Sequence, residues 1–397
     1  MWISCQIGSR EHYALPRALH RIGKLFCLVT DFWVKPGNPL AIIKQNLRER
    51  FDAELLTANV RALNVSAVGY EAQARMTGLS GWELMIKRNE WFQRHAVTLL
   101  DRYCRSLETE NLTLFAYSYA ALGLFEFASA RGWQTVLGQI DPGLPEERIV
   151  ARIYDDNPAQ RGSWQPAPQK YWDNWRRECS LADRIVVNSI WSRDALLQEN
   201  VAAEKIAVVP LAFNGDATAR EFQREYPARF TSERPLRVLF LGQVNLRKGL
   251  APLMEAIDLL QDQNMEFWFV GPIQITVPLS LQQNPRVKWI GPVPGSQTAP
   301  YYQQSDVFIF PTFSDGFGLT QLEAQAWKLP VIASRFCGDV VQDGVNGLLL
   351  REISAEAIAT VLLDLLRNPG RLRHLSEQSE VGEKFSLDSL ASALLNL

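Results

Sequence analysis

Short apolar runs rich in β-branched and aromatic residues alternate along this chain with stretches whose apolar residues recur every third or fourth position. The runs predict buried strands and the longer period predicts helices, and their alternation is the pattern of a parallel sheet with crossover helices. In the first half, strands are expected at Trp2–Ile7, Leu25–Leu28, Leu112–Tyr117, Thr135–Ile140 and Arg184–Asn188. A second series follows at Leu236–Leu241, Glu266–Val270, Val287–Ile290, Val307–Phe310, Pro330–Ala333 and Gly347–Leu349. The turn-rich segment Val208-Val-Pro-Leu-Ala-Phe-Asn-Gly215 separates the two series and marks a domain boundary.

Residues 69–110 carry a long helical pattern, with Leu84, Trp91, Leu99, Leu100 and Tyr103 on its apolar positions. Lys87, Arg88, Arg94, Arg102 and Arg105 intersperse with them. A solvated helix face explains these cations, and contact with an anionic membrane surface is the alternative. Asp155–Lys170, with Pro158, Pro166 and Pro168, is expected as an irregular loop.

Composition narrows the class. At 397 residues the chain exceeds what one core usually supports, and 47% apolar residues supply two. A net charge of −2 lacks the basic excess of a nucleic-acid binder. Cys5, Cys27, Cys104, Cys179 and Cys337 are odd in number and widely spaced, which fits a reducing compartment and no disulfide framework. The four histidines are isolated and suggest no metal site. No apolar run reaches the length of a membrane span, so the chain is expected to be soluble and cytoplasmic.

Two units carry candidate chemistry. Val307-Phe-Ile-Phe-Pro311 leads into Thr312-Phe-Ser-Asp-Gly-Phe-Gly318 and a helical pattern through Leu319, Leu322, Ala326 and Trp327. Free amides at such a helix start suit a phosphate, and Gly316 and Gly318 allow backbone to approach it. Asp315 lies in the loop and Glu323 about one turn into the helix, so both carboxylates ring one helix mouth, where one can meet a sugar and the other a ribose hydroxyl. Helix capping and dipole stabilisation account for the same acids equally well. In the second unit the strand Leu236–Leu241 runs into Gly242-Gln-Val-Asn-Leu-Arg-Lys-Gly249. Arg247 and Lys248 thus follow a strand's carboxyl end, where ligands bind in open α/β sheets and where two cations can neutralise a diphosphate.

Residues 236–350 resemble the C-terminal domain of the family 4 retaining glycosyltransferases of the GT-B fold (glycosyltransferase group 1 type). The landmarks are Gly242…Arg247-Lys248-Gly249, Phe269-Val270-Gly271, Tyr301-Tyr302…Asp306-Val307…Pro311, Asp315-Gly-Phe-Gly-Leu…Glu323-Ala324 and Val341-Gln-Asp-Gly-Val-Asn-Gly-Leu348. The resemblance implies that Asp315 contacts the donor sugar and Glu323 the ribose, matching a paired-acid motif that is usually Glu-x7-Glu. It implies further that Gly316, Phe317, Gly318, Leu319 and Thr320 hold the diphosphate beside Arg247 and Lys248, and that Gly271 and Val293 belong to the donor site, Val293 near the base. Two departures stand out: Asp315 is one methylene shorter than the usual Glu, and Gln243 occupies a place where many relatives carry a phosphate-binding Arg.

In the first half, the loop Gly8-Ser9-Arg10-Glu11-His12-Tyr13 follows the first strand, and in the GT-B fold that loop faces the interdomain cleft. Gly8 then sits beside the donor phosphates, and Arg10 and His12 are candidates for acceptor or phosphate, although an exposed loop histidine is the simpler account of His12. Where relatives often carry a cleft His, this chain reads Gly138-Gln139-Ile140-Asp141-Pro142-Gly143, which makes Gln139 and Asp141 catalytic candidates, Asp141 alternatively a turn former. Asn188 is placed at the cleft as an acceptor residue. Asp155-Asp156-Asn157 is read as loop, with no catalytic metal.

The resemblance thus implies an α/β chain of two Rossmann-like domains facing a cleft, an acceptor domain at 1–210 and a donor domain at 211–380. A C-terminal helix at 381–397 leans back on the first. The implied activity is a retaining hexosyltransferase moving a hexose from a nucleoside diphosphate sugar to a glycan, lipid-linked or small-molecule hydroxyl. No cofactor, metal or nucleic acid is expected, and peripheral contact with the inner membrane face stays open. The alternatives are a GT-B-fold epimerase or phosphorylase and a catalytically inactive sugar- or nucleotide-binding partner.

Overall fold

The computed structural model describes residues 1–38, 47, 49–104, 111–215 and 217–397. Two wholly parallel sheets form. The first orders seven strands as β3-β2-β1-β4-β5-β6-β7: β1 Trp2–Gln6, β2 Leu25–Thr30, β3 Val60–Ala62, β4 Thr113–Tyr117, β5 Gln134–Gln139, β6 Arg184–Val187 and β7 Ile206–Val208. The second orders six as β10-β9-β8-β11-β12-β13: β8 Leu236–Leu241, β9 Met265–Val270, β10 Val287–Gly291, β11 Val307–Phe310, β12 Val331–Ala333 and β13 Gly347–Leu349. Strands covered on both faces must read as unbroken apolar runs; β1, β4 and β9 are buried at every position.

Each sheet winds outward on one side of its first strand and then crosses to the other. The pairs β1/β4 and β8/β11 are therefore switch points, above whose carboxyl ends a crevice opens. These crevices face each other. The helix Leu387–Leu395 returns to the first sheet, packing Leu387, Leu390 and Leu394 against Leu15, Ala18 and Leu19 of the helix Ala14–Arg21. Each such leucine contributes about 2 kcal/mol by burial. Among the described residues, no helix is long and apolar enough to cross a membrane.

Every strand expected from the sequence forms. Two three-residue edge strands, β3 and β7, join them. The long helical pattern does not hold as one helix: it divides into Asn64–Met76 and Gly81–Cys104. Gly78 between them and Gly81 at the start of the second take φ of 67° and 53°, left-handed values that a continuing helix cannot contain. Residues 105–110, with Arg105, lie outside the described residues. The expected loop at Asp155–Lys170 is also shorter, because Asp155 and Asp156 end the helix Leu144–Asp156 and the next helix starts at Gln169. Lys87 pairs with Glu83 on an exposed face. Arg88 instead reaches the buried carboxylate of Asp31 at 3.1 Å.

Candidate active site

The exit of β11 builds the first wall. Gly318 has φ of 80°, and a Cβ there would lie 2.6 Å from the Phe310 ring, so only glycine fits this turn. Asp315 does not cap the helix, which begins at Thr320; its Oδ1 accepts the Phe317 N–H at 3.0 Å. The N–H groups of Gly318, Leu319 and Thr320 have no hydrogen-bond partner among the described residues. Three free donors at a helix start form an anion cradle.

The exit of β8 supplies the cations. Asn245 Oδ1 accepts the Lys248 N–H at 3.2 Å and fixes the single turn Leu246–Lys248. Gly249, with φ of 77°, lets that turn lie on β11; a Cβ would sit 1.9 Å from the Pro311 carbonyl oxygen. Lys248 consequently forms an ion pair with Asp315, over the Phe310 ring at 4.7 Å. Arg247 Nη1 lies 3.5 Å from the same carboxylate and donates to the Ser314 carbonyl at 2.8 Å. Burial, then the charge of Arg247, pushes the Lys248 ammonium well below the usual lysine range.

Glu323 sits further along, its Oε2 accepting the Tyr302 hydroxyl at 2.7 Å. Burial pushes this carboxyl up, opposed by the Tyr302 hydrogen bond and by His12. His12 itself is exposed on the loop that follows β1 and does not line the cleft. Glu11, His12 and Tyr13 all have left-handed φ, 53°, 51° and 57°. Three such residues in a row each cost about 1 kcal/mol or more. Tyr117 helps hold them, donating its hydroxyl to Glu11 Oε2 at 3.1 Å.

Between the sheets lies a cleft of ≈ 710 Å³. Gly8, Arg10 and Asn188 line its first-sheet side, and Arg247, Lys248, Asp315 and Phe317 to Thr320 the other. Gly8 has φ of 83° and donates its N–H to Asp31 at 2.8 Å; a Cβ would meet Arg50 at 2.5 Å. Asp31, held also by Arg50 and Arg88, organises this wall, and no local motif announced it. Gly271 and Val293 lie outside the cleft lining. Gly271 is packed on Gly242, where a Cβ would lie 1.9 Å from the carbonyl oxygen, and Val293 lies half-buried against the apolar cluster that holds Trp268 and Tyr302.

The sheets touch where Gly316 meets the exit of β5: a Cβ on Gly316 would be 2.5 Å from the Ile140 carbonyl oxygen and 3.3 Å from Asp141 Cα. Asp141 Oδ1 accepts from Tyr119 at 2.5 Å and from the Gly143 N–H at 2.9 Å. Gln139 does not reach the cleft. It is buried behind Asp141, donating to the Asp141 carbonyl at 2.9 Å and accepting from Trp175 at 2.9 Å. Glu146, which the sequence reading passed over, bridges instead: its Oε2 accepts from Ser314 at 2.7 Å and from Arg247 at 3.3 Å.

Residues 235–368 match the family described as Glycosyl transferases group 1. This segment is similar to the group 1 glycosyltransferases. The D-inositol 3-phosphate glycosyltransferase of Xylanimonas cellulosilytica is 33% identical over 193 residues, 46% of this chain and 46% of that protein. The capsular polysaccharide biosynthesis glycosyltransferase CapM of Staphylococcus aureus is 28% identical over 139 residues, 32% of this chain and 36% of its own. The chain spans about half or less of the length of the curated relatives it matches. Solved structures resemble the whole chain. Anabaena HepE in complex with UDP-glucose aligns with a TM-score of 0.63 at 14% identity, over 100% of this chain and 99% of that one. Sucrose-phosphate synthase from Thermosynechococcus elongatus aligns at 0.64 and 18% identity, over 100% and 98%. The matched segment therefore lies within a GT-B fold, two Rossmann-like sheets facing a cleft.

Proposed function

We propose that the protein transfers a hexose from a nucleoside diphosphate sugar to an acceptor hydroxyl, with retention of anomeric configuration. The observation that carries this reading is the convergence, at one cleft, of three unpartnered amides with Arg247 and Lys248. Preorganised donors of this kind stabilise a departing diphosphate without reorganising during the reaction. On this reading Glu323 holds the ribose, and the diphosphate displaces Asp315 from Lys248, freeing its carboxylate for a sugar hydroxyl. The acceptor approaches on the face the diphosphate leaves, and a leaving phosphate oxygen takes its proton. Cations and amides neutralise the leaving group here, so no metal is required and chelator leaves the rate unchanged. UDP-glucose bound to HepE, and the sugar transfer in the relatives' names, support the donor class.

The test is incubation with a panel of UDP-, GDP-, ADP- and dTDP-hexoses and mixed saccharide acceptors, followed by NMR of the product's anomeric centre. Nucleoside diphosphate release with transfer and a retained anomer is expected. An inverted product sinks the retaining mechanism. Nucleotide binding without turnover on any pair would turn the assignment to a binding protein.

A further inference from the structure

Beside the donor cleft lies a second cavity of ≈ 340 Å³, and Arg247 lines both. Aromatic rings make much of its wall. Tyr119 stacks on Tyr171 at 4.5 Å, Trp82 meets Tyr171 edge-on at 5.0 Å, and Trp164 stacks on Tyr154 at 5.0 Å. The indole N–H of Trp82 is spent on the Gln165 carbonyl at 3.0 Å, which fixes that ring as a wall.

Trp164 arrives on the segment 157–168, which crosses to the second sheet. The Thr276 N–H donates to the Gln160 carbonyl at 3.3 Å. Gly162 lies so close that a Cβ would be 2.0 Å from the Gln274 carbonyl oxygen. Polar groups occupy the remaining wall: Asp141, Glu147, Asn245 and Gln274. Asp141 uses Oδ1 for its described hydrogen bonds, and Oδ2 has no partner among the described residues.

The position of this cavity follows from the two faces of the second sheet. Glu323 is bound to Tyr302, whose ring belongs to the cluster holding Trp268 and Phe308. The cavity's Val150 and Tyr154 belong to the opposite cluster, with Phe269 and Val277. The cavity therefore opens away from the ribose acid, beyond Arg247 and beside Asp141.

We propose that this cavity is a carbohydrate acceptor subsite that takes a saccharide ring against its aromatic wall. A sugar ring has apolar C–H faces and hydroxyl edges, which match flat rings set among carboxylate and amide groups. A hydrocarbon chain would cover the Asp141 carboxylate, whose Oδ2 has no partner among the described residues, and offer it no hydrogen bond, at high cost. An anionic ligand would meet three carboxylates, with Glu146 the third. The inference rests on the transferase reading for the word acceptor; the saccharide site stands independently of it.

Saturation-transfer NMR with maltose, cellobiose, lactose and N,N′-diacetylchitobiose, alongside calorimetry with UDP, GDP, ADP and dTDP, tests it. At least one disaccharide binds wild type, and Trp164→Ala weakens that binding about tenfold, an aromatic contact's worth. UDP affinity and melting temperature stay at wild-type values in this variant, because Trp164 is a half-buried loop residue, and Trp164→Phe restores saccharide binding. Absence of binding by all four sugars, or equal binding by Trp164→Ala, overturns the proposal. So does a parallel loss of UDP affinity. A wild type that binds a disaccharide and none of the four nucleoside diphosphates sinks the donor reading and leaves the saccharide site in place.

Discussion

Arg247 and Glu146 hold each other across the two sheets, Nη1 to Oε2 at 3.3 Å, and Ser314 donates to the same oxygen at 2.7 Å. Trp191 completes the junction with an indole N–H donated to Ser314 Oγ at 3.0 Å. The guanidinium that would receive a diphosphate is thus already shared with a carboxylate. Burial, the largest cause, pushes the Glu146 carboxyl up; Arg247 opposes this and Asp141 adds to it.

Removing that competing charge should tighten donor binding. Glu146→Gln keeps an oxygen for Ser314 and Arg247 but no longer offsets the guanidinium. Nucleoside diphosphate affinity is expected to rise about fivefold, near 1 kcal/mol for one partly buried ion pair. Calorimetry with the best-binding nucleoside diphosphate reads this directly. Unchanged or weaker binding would show that Arg247 is not the phosphate ligand.

The paired acids should fail in different ways. Asp315→Ala frees Lys248, so nucleoside diphosphate affinity is kept or improved while transfer falls about a hundredfold or more, the sugar contact being lost. Glu323→Ala removes the ribose acceptor of a charged hydrogen bond, and affinity is expected to fall about tenfold. Initial rates and calorimetry on both variants, with melting temperature as a control, separate the two roles. Normal turnover by either variant rejects the assignment.

How far these features could be read from the sequence follows from how local they are. The loop and helix start on this wall of the cleft were legible because Asp315 to Glu323 form one continuous loop–helix unit whose turn residues sit side by side. Glu146 was not, since its partners Arg247 and Ser314 lie 101 and 168 residues away and nothing in its own helix marks it. The same holds for Asp31, gathered with Gly8, Arg50 and Arg88 only by the winding of the first sheet. Gln139 shows the reverse failure: its place at the end of β5 suggested a cleft residue, but the side chain is buried and its amide is taken up by Trp175 and the Asp141 carbonyl. Short edge strands such as Val60-Arg61-Ala62 are half-exposed and carry too few residues to show a period.

Closure can be tested at one atom. Gly316 does not have positive φ, so its backbone accepts alanine, yet the added Cβ would lie 2.5 Å from the Ile140 carbonyl oxygen. Gly316→Ala should fold normally and bind nucleoside diphosphate within about twofold, because the Arg247 and Lys248 side is untouched. Transfer should drop about ten- to a hundredfold, since a shift of about an ångström misaligns donor and acceptor. Small-angle scattering should report a more open particle. Wild-type rates in this variant would mean that the contact does not form during turnover.

The raised Glu323 carboxyl gives a pH signature whose sign can be worked out. Folding buries the group, so the folded apo protein binds its proton more tightly than the unfolded chain. This group alone therefore makes stability fall as pH rises from the ordinary carboxylate range through the raised value. A ribose hydroxyl donating to Glu323 favours the ionised form. Nucleoside diphosphate affinity should be full above the raised value and weaken as pH falls through it, and the melting-temperature gain on adding ligand should grow with pH over the same window. The diphosphate titrates nearby, and Glu323→Gln isolates its share because that variant retains only the ligand's own dependence. Subtracting the variant's profile from that of wild type should leave a single rising step. A flat difference would remove Glu323 from the nucleotide site.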